Sequence, residues 1–200
     1  MDFRDFALIL FGYFAGGIPT GYIVVKRLKG YDIRTKGSGN PGTANVYRNA
    51  GTVAGLITLV VDALKGYAPV YLCIALQPRR PELAIAAGAA AIIGHNWTPL
   101  LGFKGGKGVA TSAGVFLALI PLPMAATMAA FAIAVAISGH ISVGSMTAAI
   151  ALPIAALAFH SQTAYCIAAA VSGGLIIYKH IPNLKRLRQN KELGIHGPSA

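Results

Sequence analysis

GVATSAGVFLALIPLPMAATMAAFAIAVAISGHISVGSMTAAIALPIAALAFHSQTAYCIAAAVSGGLIIY, residues 108–178, holds no Asp, Glu, Lys or Arg. A soluble core of that length would be wrapped by charged, water-facing segments. Lipid removes the need, so the stretch reads as membrane-embedded helix. The whole chain agrees: its 200 residues are 55% hydrophobic and 12% charged, about half the ~25% charged content of soluble domains.

Weaker signals divide the stretch. Pro121-Leu122-Pro123, Ser138-Gly139-His140 and Phe159-His160-Ser161-Gln162 are breaks, giving spans at Val109–Ile120, Leu122–Ser138, Ile141–Phe159 and Ala164–Tyr178. The first is short of the ~20 residues a crossing needs. Upstream, Phe6–Val25 (bent at Pro19), Thr52–Leu76 and Leu83–His95 make three more. The expected fold is therefore all-α, a polytopic integral membrane protein with seven transmembrane helices, five being the next partition. It forms one membrane domain over residues 1–200, without internal repeat or soluble appendage. Acids in Met1-Asp2-Phe3-Arg4-Asp5, with no small-residue cleavage site beyond, make the first run a retained span. Cys73 and Cys166 stand alone in apolar runs and read as buried packing.

Seven crossings put Lys26, Arg27, Lys29, Arg34, Lys36, Arg48, Lys104, Lys107, Lys179, Lys185, Arg186, Arg188 and Lys191 on one face. Arg4, Arg79 and Arg80 lie on the other. That asymmetry predicts a cytoplasmic loop face and C-terminus, with the N-terminus outside. The net charge of +11 belongs to this face, and no nucleic-acid partner is expected.

Three polar blocks interrupt the apolar chain on that face. The first is Lys36-Gly37-Ser38-Gly39-Asn40-Pro41-Gly42-Thr43-Ala44-Asn45-Val46-Tyr47-Arg48; its glycines and proline argue against a regular helix, and it shows no apolar face. The second is Gly94-His95-Asn96-Trp97-Thr98-Pro99 with Gly102-Phe103-Lys104-Gly105-Gly106-Lys107-Gly108. The third is Lys179-His180-Ile181-Pro182-Asn183 with Lys185, Arg186 and Arg188. Backbone N–H groups, small hydroxyls and cations suit a phosphate; a solvated turn is the plainer alternative.

Named motifs fail on context. Gly37-x-Gly39-x-x-Gly42 has no strand before it, and Gly102–Gly108 lacks the spacing and hydroxyl of a Walker A loop. Asp62 and Lys65, three apart in a span, read as a structural ion pair that satisfies itself. His95, His140 and His180 fall on the loop face, His160 faces outward and His196 lies in the tail. Only Asp32 and Glu192 could join them, so no metal is expected. No His-x4-Asp dyad occurs and a Ser-His-Asp triad lacks its acid, which disfavours a covalent intermediate. What remains is a cationic pocket at the mouth of an apolar bundle, suited to a phosphate head with a greasy tail.

In these blocks the chain resembles the bacterial membrane acyl-phosphate:glycerol-3-phosphate acyltransferases (PlsY). The likeness rests on Gly37–Arg48, on Gly94–Pro99 with Phe103-Lys-Gly-Gly-Lys-Gly-Val-Ala-Thr111, and on Lys179–Asn183 with Glu192, in order and spacing over nearly the whole chain. The resemblance implies transfer of a fatty acyl group from acyl phosphate to the sn-1 hydroxyl of glycerol 3-phosphate, giving lysophosphatidic acid and inorganic phosphate. It implies a multi-pass protein of the bacterial inner membrane, its active site on the cytoplasmic face. No cofactor, coenzyme A or carrier protein is expected.

On this reading Ser38, Thr43, Asn45 and Arg48 grip the acyl phosphate, and Gly37, Gly39, Asn40 and Gly42 shape their loop. Lys104, Gly105, Gly106 and Lys107 hold the glycerol 3-phosphate head. His180 and Asn183 position the acceptor hydroxyl, and either His180 or a substrate phosphate takes its proton. His95, Asn96 and Ser142 complete the substrate-binding set, with His140 nearby; Asn96, Trp97 and Glu192 could equally lock loops. The alternative function is a transporter for phosphorylated small anions. Against it, the opposite mouth is sparse and the uncharged spans offer an anion no pathway.

Overall fold

In the computed structural model, which describes residues 2–195, the chain begins with a reciprocal cap. The Asp2 carboxylate accepts from the Asp5 amide at 2.9 Å and the Asp5 carboxylate from the Asp2 amide at 3.0 Å, opening helix α1 (Phe3–Gly17). Asp5 also takes a two-pronged contact from Arg80, at 2.7 and 2.8 Å. Pro19 separates α1 from α2 (Thr20–Lys29), as its missing N–H dictates. Then come α3 (Thr43–Ala50), α4 (Thr52–Leu76), α5 (Pro81–Asn96) and α6 (Val109–Leu119). These six helices form one compact unit, which ends at Leu119.

Glycine sets the helix spacing within this unit. A Cβ on Gly16 would overlap the Ala91 carbonyl, so α1 and α5 pack backbone to backbone; one on Gly114 would overlap the Ala63 carbonyl and drive α6 off α4. Lipid gives no hydrophobic drive between helices, so close approach of small residues is what holds them together.

The second unit begins at Ile120 and contains α7 (Pro121–Ser138), α8 (Ile141–Ala158), α9 (Thr163–Lys179) and α10 (Ile181–Arg188). Pro121, expected as a break, is the first residue of α7, where its missing N–H is harmless. Gly139 ends α7 in the left-handed conformation at φ 70°. The Ile195 amide returns to the Gly139 carbonyl at 2.9 Å.

One expectation changes. Residues 43–48 are helical: Pro41 and Gly42 precede the helix, and Gly42 is its N-cap. Nor does the segment lack an apolar face, because Val46 packs with Val25, Ile33 and Ala54 in a sealed cluster. For the spans, four segments are long and apolar enough to cross a membrane: Phe3–Lys29, Thr52–Leu76, Pro121–Ser138 and Ile141–Ala158. A fifth arises if α9 and α10, bent by 51°, count together. At 1.5 Å per residue the 11 residues of α6 reach about 16 Å, roughly half a hydrocarbon core.

Candidate active site

The first glycine segment is built around one carboxamide. Asn45, 2% exposed, donates through Nδ2 to the carbonyls of Ile33 (3.3 Å), Lys36 (3.1 Å) and Asn40 (2.9 Å). Its Oδ1 accepts from the Ser38 amide and from Asn49 Nδ2, both at 3.0 Å. A residue expected to grip substrate thus holds the loop. Gly37 sits against that carboxamide at φ 54°, where a Cβ would overlap Asn45 Oδ1. The loop also takes up much of the N–H row expected for an anion. The Ser38 amide goes to Asn45, the Gly39 amide to Lys36 and the Gly42 amide to Asn40 Oδ1. The amides of Thr43 and Ala44, in the first turn of α3, have no intrahelical carbonyl to serve. Beside them the Thr43 hydroxyl is buried and unbonded among the described residues. Ser38, ahead of this helix, and Arg48, in its last turn, are half-buried. At the segment's outer edge Arg34 holds the Asp32 carboxyl below its usual value through hydrogen bonds of 2.7–3.1 Å.

The second segment folds back over the end of α5. The Gly105 amide donates to the Asn96 carbonyl at 3.2 Å and the Gly106 amide to the His95 carbonyl at 3.1 Å. The His95 ring lies directly on Gly106, where any side chain would collide with it. Lys104 is exposed and Lys107 half-buried at the rim. Asn96 is fully buried and packs against Gly108. Both segments border one small cavity: Pro41 from the first, Gly105 and Gly106 from the second, His95 between them. Thr20, Asp62, Lys65 and Thr98 line it too. Thr98 belongs to the second polar block, but Thr20, Asp62 and Lys65 were not expected here, since no local pattern links residues so far apart; charge inside a span was the one available signal.

In the second unit, His180 is the hinge between α9 and α10 and is 3% exposed. Its Nδ1 lies 2.8 Å from the Ile176 carbonyl. A carbonyl only accepts, so Nδ1 carries a proton and, in the neutral form of the ring, Nε2 holds the lone pair. Asn183, one turn on, donates Nδ2 to Glu192 Oε1 at 2.5 Å, and Arg186 donates to Oε2 at 2.7 Å. Burial raises the Glu192 carboxyl, but the hydrogen bonds from Asn183 and Arg186 outweigh it and hold the group below its ordinary value. Glu192 is thus the lock that sequence allowed, fixing Asn183. His140 stands at the start of α8, and His196 lies outside the described residues.

The Glycerol-3-phosphate acyltransferase family profile matches residues 6–190. The chain belongs to the glycerol-3-phosphate acyltransferase family. Among curated glycerol-3-phosphate acyltransferases, that of Endomicrobium trichonymphae is 44% identical over 92% of both chains. That of Geotalea daltonii is 41% identical over 94% of this chain and 96% of its own. Crystal structures of PlsY, an integral membrane glycerol 3-phosphate acyltransferase, in glycerol 3-phosphate and lysophosphatidic acid forms superpose with TM-scores of 0.91 and 0.89. Each is 32% identical, covering 96% of this chain and 95% of that one. As a glycerol-3-phosphate acyltransferase the chain is an all-α integral membrane enzyme.

Proposed function

We infer that the protein acylates glycerol 3-phosphate at its sn-1 hydroxyl, taking the acyl group from acyl phosphate and releasing lysophosphatidic acid and inorganic phosphate. The observation that carries this reading is a cavity bordered by both glycine segments in a chain of this family. Acyl phosphate is a mixed anhydride, so the acceptor oxygen forms its bond to the acyl carbon as the bond to phosphate breaks. Strong acid catalysis is unnecessary. What the enzyme supplies is orientation of two mutually repelling phosphates and stabilisation of the developing oxyanion.

Thr43, Ser38, Arg48 and the opening turn of α3 bind one phosphate, on a surface that Gly37, Gly39, Asn40, Gly42 and Asn45 hold in shape. Lys104 and Lys107, on a backbone kept close by Gly105 and Gly106, bind the other, supported by His95 and Asn96. His180 accepts the hydroxyl proton on Nε2 and Asn183 orients the hydroxyl, with Ser142 beside their Glu192 lock. His180 is favoured over a substrate phosphate as base because its Nδ1 is committed to Ile176. Seven crossings, with α5 and α6 as short spans, put the active site on the cytoplasmic face of the inner membrane; neither coenzyme A, carrier protein nor cofactor takes part.

Purified protein given acyl phosphate should release phosphate only when glycerol 3-phosphate is added, in step with lysophosphatidic acid seen by mass spectrometry. Phosphate release indifferent to glycerol 3-phosphate, or an acylated protein in its absence, would refute direct transfer.

A further inference from the structure

Charge at membrane depth is costly unless matched, and the first unit gathers three titratable side chains beside its cavity. Asp62 and Lys65, one turn apart on α4, pair at 2.7 Å with side chains 3% and 5% exposed. A pair serving only itself would make no further polar contacts. Lys65 Nζ, however, also donates to the Ile18 carbonyl at 2.7 Å, which takes the Thr20 amide at 3.0 Å as well, where α1 ends. Asp62 Oδ1 lies 3.9 Å from His95 Nδ1 at the end of α5.

Each branch leads to one glycine segment. Past Ile18 the chain turns to Gly21, which packs so closely on the Pro41 carbonyl that a Cβ could not fit. Past His95 lies Gly106, held by the histidine's ring on one side and its carbonyl on the other. The ion pair is therefore a polar node from which supports of both segments can be traced, beside Thr98, whose hydroxyl donates to the Gly17 carbonyl at 2.6 Å.

We propose that Asp62 and Lys65 are positioning residues, setting the separation of the two glycine segments and so the placement of one phosphorylated reactant against the other. This rests on the acyl transfer inferred above. A displacement near 1 Å at reacting groups costs about 100-fold in rate. A buried ion pair, by contrast, is often replaceable by apolar residues of similar volume with no loss of stability. The two roles therefore separate experimentally.

The test compares wild type, Asp62→Leu/Lys65→Met and Lys65→Arg, each purified in detergent, by phosphate release and by thermal midpoint. The double variant should keep its midpoint and lose turnover by about 100-fold. The loss should fall in kcat rather than KM, because each segment keeps its own phosphate-binding groups. Lys65→Arg, which keeps the charge and reach, should restore part of it. A structural pair would shift the midpoint and leave turnover per folded molecule unchanged; that result overturns the proposal. If the double variant does not fold, Asp62→Glu takes its place: a fall in kcat of about 10-fold or more at unchanged midpoint supports the node, and unchanged kcat overturns it. Wild-type protein inert in the same assay would overturn the acyl transfer as well, which distinguishes that failure from this one.

Discussion

At single residues, the site divides into groups that face a ligand and groups that face the loop. Arg48 and Lys104 are proposed for the first class. Arg48→Ala and Lys104→Ala should each lower turnover by about 100-fold or more while the thermal midpoint in detergent stays put. Near wild-type rates in both would move the phosphate sites elsewhere. Asn45 belongs to the second class, and Asn45→Asp isolates its role. A carboxylate has the same shape but cannot donate to the Ile33, Lys36 and Asn40 carbonyls that Nδ2 now serves. That change should destabilise the protein by about 2 kcal/mol or more, read as a lowered midpoint. The sequence named Asn45 correctly as belonging to this block but assigned it to substrate. Residue type alone does not say whether a polar side chain turns inward, and only the convergence of three carbonyls on one amide decides it.

Among helices, the contacts that matter are close crossings and one carboxylate clamp. Gly16→Val pushes a branched side chain into the Ala91 carbonyl, so α1 and α5 should separate and the midpoint fall sharply. A midpoint within a degree of wild type would mean that this crossing is looser than described. The clamp is pH-dependent. Because the folded Glu192 value lies below the ordinary 4.5, its contribution is fully present above 4.5 and lost as pH falls through the lower folded value. Exchange of the Ile195 amide, which is hydrogen-bonded to Gly139, should accelerate over that window. Glu192→Gln should remove the dependence. Helix limits were largely legible, since Pro121 and Gly139 mark real boundaries by backbone chemistry that is the same in lipid and water, while Pro19, read as a bend, divides α1 from α2. Helix α3 was not: its eight residues follow the breakers immediately, and its one sealed apolar residue, Val46, finds partners on α2, α4 and the Ile33 turn rather than along its own face.

For the molecule as a whole, composition gave the membrane and the all-α class directly, because a charge-free run of that length has no other solvent. The number of crossings was less legible; short helices such as α6 are apolar enough to count but too short to decide by length. Sidedness is open to measurement. Lys36→Cys and Arg79→Cys, both exposed positions, should label from the cytoplasmic and external sides respectively, the native Cys73 and Cys166 being buried; the reverse pattern would invert the topology. The Glu192 clamp also bears on biosynthesis. Asn183 takes its carboxylate from nine residues later in the chain, so the ribosome still holds Glu192 when α10 begins to emerge. A nascent chain can therefore be threaded into the bilayer with both glycine segments already made, yet lack the clamp on Asn183 until residue 192 has emerged behind them.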